Sequence, residues 1–323
     1  MTVQTLEEQL IWLLNVSRNM LATRDLPQLL ELVTDSFIEA TAAERAFILL
    51  RDRETGVLVQ RLGRNKASET LSHSSNLVLG VAKRTFSEGR AVFETKDGQG
   101  DGEDSVVVCI PLKTEAETLG VLYSDGPRGA GIEDSPERRR PATMLADHAA
   151  AAIENAKLFE RANNDPLTGL PNSSYFLVEL AKVMRAARTG SEGGLVLLDL
   201  DSFKRVNSAG GAEAGDQALV DIAGTLQELL RADGLVARYG SDKFAILLPP
   251  DPALSIQVRV RDVAERARAS VAAKTYHGVT LSACLGGISF AQDTAESAPD
   301  LVAMADDALA RARNRGESEV EIV

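Results

Sequence analysis

Two apolar runs, Leu235-Val236-Ala237 and Phe244-Ala245-Ile246-Leu247-Leu248, flank the stretch Arg238-Tyr239-Gly240-Ser241-Asp242-Lys243. Short β-prone runs joined by a tip of Gly, Ser and Asp read as a β-hairpin. A glycine and a small residue at the tip, Gly240 and Ser241, let a large ligand approach the backbone closely. The carboxylate of Asp242 then lies beside that ligand.

Upstream, Gly194-Leu195-Val196-Leu197-Leu198-Asp199-Leu200-Asp201 reads as an apolar strand ending in Asp-x-Asp. Strand side chains alternate, so Asp199 and Asp201 fall on one face. Carboxylates at a strand end, beside a hairpin carboxylate, are the oxygen ligands that hold magnesium against a triphosphate. A solvated strand end is the competing reading of the Asp-x-Asp taken alone.

In order, the chain carries Asp165-Pro166-Leu167-Thr168-Gly169-Leu170-Pro171-Asn172, Leu198-Asp199-Leu200-Asp201-Ser202-Phe203-Lys204-Arg205-Val206-Asn207, Gly215-Asp216 and then the hairpin. Ser282-Ala283-Cys284-Leu285-Gly286 and Ala305-Asp306-Asp307-Ala308-Leu309 follow. This series closely resembles the GGDEF (diguanylate cyclase) family, from about Asn164 to Val323. The resemblance implies a palm-like sheet with helices. It also implies an activity that condenses two GTP molecules into cyclic di-GMP, one on each subunit of an antiparallel pair. Catalysis of that type rests on metal charge and positioning.

Carried over by residue, the resemblance makes Asp199, the carbonyl of Leu200 and Asp242 the ligands of Mg2+. Asn207 and Asp216 become the guanine readers, and Lys204 and Arg313 the phosphate ligands. The signature here is Gly-Ser-Asp-Lys-Phe where the family has Gly-Gly-Asp/Glu-Glu-Phe. Ser241 is a mild departure, and Glu317 stands where the family usually has an arginine. Lys243 replaces the glutamate after Asp242, at a catalytic position. Two unit charges about 4 Å apart interact by roughly 4 kcal/mol at an effective dielectric near 20, and a divalent ion would repel the ammonium about twice as strongly. The expectation is a domain that binds GTP and is catalytically weak or inactive, with Lys243 able to contact a phosphate directly. An active cyclase that tolerates the altered signature is the alternative, and a pure scaffold a third reading. In the family's product-inhibition motif, Arg-x-x-Asp, Arg231 is kept but Gly234 stands at the aspartate position, which makes that inhibitory site degenerate.

A chain of 323 residues suggests two domains. The net charge of −12 argues against a nucleic-acid or anionic-membrane partner. Cys109 and Cys284 lie in apolar runs far apart, as buried reduced thiols do in the cytoplasm. No run of about eighteen apolar residues is present, so no membrane insertion is expected. His73, His148 and His277 show no metal-ligand spacing.

The N-terminal half alternates helix and strand signals. A helix is expected over about Leu6 to Leu21, with Leu6, Leu10, Leu13 and Met20 as its apolar stripe, and a second over Leu26 to Thr41. Strands follow at Ala43–Leu50, Gly56–Val59, Val106–Leu112 and Thr118–Tyr123, with a helix from Leu77 to Glu88 ending at Gly89. Glu44-Arg45-Ala46-Phe47, Glu88-Gly89-Arg90-Ala91-Val92, Ile110-Pro111-Leu112, Leu119-Gly120-Val121-Leu122-Tyr123 and Ile153-Glu154-Asn155-Ala156 resemble a GAF domain, the antiparallel-sheet sensor module. GAF domains take varied small molecules or none, so its ligand is unidentified.

From Ala142 to about Arg161 the sequence reads as one long helix, with Ser135-Pro136 as a start signal. Leu145, Ala149, Ala152, Ala156 and Phe159 repeat with the spacing of a coiled-coil seam. That seam serves either a parallel homodimer, the preferred expectation, or packing on the chain's own N-terminal helix. The run Arg138-Arg139-Arg140 reads as a solvated helix face. The expected class is α+β, with a GAF-type sensor at 1–141, a signalling helix at 142–163 and a degenerate GGDEF domain at 164–323. A cytoplasmic signalling protein with a protein partner follows.

Overall fold

The computed structural model describes residues 6–52, 55–72, 76–96, 104–127, 136–187, 192–231, 233–251, 254–291 and 294–323. The chain divides into two compact units between Glu160 and Arg161. Both mix helices with a five-stranded sheet, so the chain is α+β.

In the first unit, helices α1 (Leu6–Ala22) and α2 (Leu26–Thr41) lead into strands β1 (Arg45–Arg51) and β2 (Leu58–Asn65). Asp25 caps α2, its carboxylate accepting from the Gln28 N–H at 2.9 Å, with Pro27 in the first helical turn. Helix α3 (Asn76–Glu88) stops at Gly89, whose φ of +59° is the left-handed conformation that glycine adopts without penalty. Strands β3 (Val92–Lys96), β4 (Ser105–Lys113) and β5 (Thr118–Pro127) complete an antiparallel sheet in the order β2-β1-β5-β4-β3.

Helix α4 (Pro136–Asn163) begins at the proline that the sequence marks and runs longer than expected. Ser135, the expected cap, lies outside the described residues, as do His73 and the side chain of Arg138. Arg139 is not simply solvated, since its guanidinium lies 4.6 Å from the Phe93 ring centre.

One expectation for the helices needs correction. Leu13 and Met20 are buried, but Leu10 is 46% exposed, so the expected α1 stripe is broken at Leu10. The α4 seam takes the second of its two expected readings, packing within its own chain. Leu145, Ala149, Ala152 and Ala156 are buried in one cluster with Leu13, Met20, Leu29, Val33 and Phe37 of the same chain. Alanines with no side-chain entropy to lose let the backbones approach, and this face is used inside the unit. His148 Nδ1 is hydrogen-bonded to Ser17 Oγ across the same contact. The opposite sheet face carries a second cluster under α3, with Phe47, Cys109 and Tyr123 buried together. Burial pushes the Cys109 thiol up to about 12, so it stays protonated and inert.

In the second unit, α5 (Ser173–Ala187) precedes β6 (Gly193–Asp201), which lies at the centre of the sheet β12-β11-β6-β8-β7. All nine β6 residues are buried, as expected of a continuous apolar run. Helix α6 (Lys204–Leu230) follows, then β7 (Leu235–Arg238) and β8 (Lys243–Leu248), the expected hairpin. Helix α7 (Ile256–Ala272), the short strands β9 (Thr275–Tyr276) and β10 (Val279–Thr280), β11 (Ser282–Phe290), α8 (Ala298–Arg315) and β12 (Val320–Ile322) complete it. β11 and β8 flank β6 antiparallel, and β12 runs parallel to β11.

Alternation along β6 divides its side chains between two cores: Val196, Leu198 and Leu200 face α6 and α7, while Leu195 and Leu197 face α5 and α8. Asp199 and Asp201 continue the second set, on one face as expected. Helix α8 sits so close to β11 that a Cβ on Gly286 would lie 2.1 Å from the Leu309 backbone nitrogen. Gly286→Ala is therefore expected to cost about 1–3 kcal/mol in urea unfolding, the cost of overpacking. Gly224→Ala, at an α6 position with open space around it, should gain about 0.5–1 kcal/mol. Equal behaviour of the two variants would refute this packing.

Candidate functional site

The hairpin tip is held from below by a clamp. Arg238 donates from Nη1 to Asp165 Oδ1 at 2.9 Å and from Nη2 to the Ser241 carbonyl at 2.8 Å. Asp165 also accepts from the Thr168 N–H at 2.8 Å and the Thr168 hydroxyl at 2.7 Å. Burial alone would push the Asp165 carboxyl up, but the bonds from Arg238 and Thr168 together hold it below the ordinary range. The motif around Asp165 thus serves to fix the tip. Gly240 and Ser241 lie at that tip, and Ser241 Oγ donates to Asp242 Oδ1 at 2.7 Å.

Register brings the next pair together. Across β6 and β8, Asp199 stands opposite Lys243, and the Leu200 N–H donates to the Asp242 carbonyl at 3.2 Å. Lys243 Nζ lies 3.7 Å from Asp199 Oδ2 and donates to Asp306 Oδ1 of α8 at 3.0 Å. Arg313 of α8 makes an ion pair with Asp199 Oδ1. That oxygen is buried and accepts no well-aligned hydrogen bond. Asp199 is only 2% exposed. Its burial raises the carboxyl above its ordinary pKa, Arg313 and Lys243 oppose the rise, and Asp242 and Asp201 add to it. Asp201 is satisfied differently, accepting from Ser282 Oγ at 2.8 Å and the Ser318 N–H at 2.9 Å. It is a structural anchor between β6, β11 and the segment before β12.

The expected magnesium site is tested by this arrangement. Among the described residues no three His, Cys, Asp or Glu side chains converge as metal ligands. Asp199 has one oxygen without a hydrogen bond to offer, but two cations already face its carboxylate. Bringing a divalent ion within about 4 Å of the ammonium would cost roughly 8 kcal/mol at an effective dielectric near 20. With Lys243 in place, these residues do not fit a magnesium ion at Asp199.

The remaining expected residues lie on or near α6. Lys204 opens the helix and is exposed, and Asn207 and Asp216 are exposed as well. A Cβ on Gly215 would come 1.8 Å from Asn207 Oδ1, so the missing side chain lets the amide settle against Gly215, the residue before Asp216. A break at Gly211, with φ of +81°, bends the segment between the two. Arg231 is exposed at the far end of α6, with φ of +46°, away from the hairpin tip's partners. Glu317 accepts from the Ser202 hydroxyl at 2.9 Å. Sequence expectations assigned no role to Asp306, although Ala305-Asp306-Asp307 was in view. Its pairing with Lys243 spans 63 positions and arises only from the packing of α8.

Comparison with known proteins agrees with the fold. The profile described as "Diguanylate cyclase, GGDEF domain" matches residues 162–319, and a GAF domain profile matches residues 25–155. The chain thus carries a GAF domain followed by a GGDEF domain. It is 40% identical over 226 residues to diguanylate cyclase DgcP of Pseudomonas aeruginosa, covering 66% of this chain and 33% of that protein. Identity to diguanylate cyclase A of Treponema denticola is 28% over 220 residues, covering 66% of this chain and 58% of that protein. The chain thus spans less than two thirds of these curated relatives. The coiled coil and GGDEF domain of DgcB from Caulobacter crescentus, solved with c-di-GMP, matches with a TM-score of 0.52 at 24% identity. That match covers 58% of this chain and 100% of the other and supports the fold alone.

The clamp carries a pH-dependent prediction. Asp165 has a lowered folded pKa, so its contribution is present above the unfolded aspartate value of about 3.9 and is lost as pH falls through the folded value. Asp165→Asn is expected to lose about 1.5–3 kcal/mol in urea unfolding at neutral pH, with the deficit shrinking below pH ~4. A deficit of the same size at both pH values would mean that the carboxylate charge is not what holds Arg238.

Proposed function

We infer that this chain is a cytoplasmic signalling protein of the cyclic di-GMP type. A GAF sensor, responding to a small ligand or a partner, controls a degenerate GGDEF domain that binds GTP but is catalytically weak or inactive. It works as a homodimer through a protein partner. The supporting observation is Lys243, whose ammonium is tied to Asp199 and Asp306 where the family's signature has a carboxylate. Asn207 and Asp216 offer the amide and carboxylate that face a guanine edge, and Lys204 and Arg313 the cations for the phosphates. A scaffold without ligand has no physical use for such a set. No described helix is long and apolar enough to cross a membrane. The family's magnesium enters this reading only with nucleotide present and with Lys243 displaced.

Removing a carboxylate from a metal-dependent phosphoryl transfer and adding a positive charge costs a few kcal/mol at the transition state, or about a thousandfold in rate. Incubating the protein with GTP and Mg2+, then separating the nucleotides, is expected to give cyclic di-GMP at no more than about a thousandth of the rate of an intact-signature relative. Lys243→Glu should raise that rate. Rapid product formation by the unaltered protein would establish the other reading, an active GAF-regulated cyclase with a tolerated signature.

A further inference from the structure

We propose that Lys243 takes the place of the divalent cation, so that the site binds a nucleoside triphosphate as its metal-free anion. This rests on the reading of the domain as a GTP binder and specifies the form of the ligand that it takes.

The position of the ammonium is set by the main chain. Lys243 is the first residue of β8, opposite Asp199 in the β6–β8 register, and its carbonyl accepts from the Tyr239 and Gly240 N–H groups at 2.8 and 3.1 Å. Phe244, the next residue, is fully buried. The strand start therefore cannot shift without opening the core. From there Nζ reaches Asp306 at 3.0 Å and Asp199 Oδ2 at 3.7 Å. Asp306 anchors it from α8, so the side chain is pulled toward Asp199 rather than into water.

The charge balance around Asp199 follows. Asp306, Lys243, Asp199 and Arg313 form a chain of alternating charge, with Asp242 and Asp201 close enough to Asp199 to add to its acidic side. A divalent cation entering at Asp199 meets two positive neighbours already paired with that carboxylate. A polyphosphate meets the same two cations as partners. An ammonium carries three donors, of which one is used on Asp306 by hydrogen bonding, and it keeps 32% of its side chain exposed. Arg313 keeps 46% exposed and brings a planar fork suited to phosphate oxygens. Gly240 and Ser241 lie at the same tip, with no long side chain to bar the backbone. Lys243 then stands between a buried carboxylate and a phosphate, the place that a metal fills in a two-carboxylate site, with one positive charge instead of two.

The test compares calorimetric GTP titrations of the full chain in EDTA and in Mg2+, beside thermal unfolding with Mg2+ alone. The unaltered protein is expected to bind GTP with a Kd equal within about twofold in the two buffers, and Mg2+ alone should leave its Tm unchanged. Lys243→Glu should bind at least about tenfold more tightly with Mg2+ than with EDTA, and Mg2+ alone should raise its Tm. Where the glutamate variant does not fold, Lys243→Gln serves, with GTP affinity in EDTA expected to fall at least about tenfold. Unaltered protein that binds GTP only with Mg2+, or that Mg2+ alone stabilises, overturns the substitution and leaves the GTP reading standing. Failure to bind GTP in either buffer overturns both.

Discussion

The second unit depends on a carboxylate placed at the end of a strand that has no exposed residue. Burying Asp199 costs free energy unless opposite charge comes with it, since a lone ion in a low-dielectric interior is strongly disfavoured. The fold answers with Arg313 from one turn of α8 and Lys243 from the neighbouring strand. Asp306, further back along α8, then anchors the lysine. Each partner is fixed by an element that the apolar core positions for its own reasons. The polar chemistry at the tip is thereby as rigid as the sheet beneath it.

Much of this was legible in the residues. The apolar run into Asp-x-Asp reads as a strand, and the two runs around Gly240-Ser241 as a hairpin, because period and turn chemistry act locally. Pro136 and Gly89 marked helix ends for the same reason. The strand β3 was left without a distinct signal, being short and interrupted by Glu94, Thr95 and Lys96. The pairing of Lys243 with Asp306 was not legible, since it links residues brought together only by how α8 settles on β11 and β6. Expectation placed Lys243 against a metal or on a phosphate, and neither choice considered a second carboxylate.

The helix α4 shows the same limit from another side. A repeat of Leu145, Ala149, Ala152 and Ala156 describes a face that wants burial, and spacing alone does not say which surface covers it. Here the covering surface belongs to α1 and α2, and the first unit gains a core of small residues under its sheet. A GAF unit whose helix is bonded into its own core, with His148 joined to Ser17 across it, couples that helix to the packing of the sheet. What loosens or tightens the sheet also acts on α4.

The register of Lys243 has a consequence for how such a site changes over generations. The backbone bonds that place this residue, from Tyr239 and Gly240 to its carbonyl, are indifferent to the side chain it carries. Codons for lysine and glutamate differ only in their first base, whichever synonymous form is used. A lineage can therefore pass between a cationic and an acidic signature by one transition, with the sheet, the hairpin, Asn207 and Asp216 carried along unaltered. A change of this kind is easy to acquire and equally easy to reverse, unlike erosion of a core.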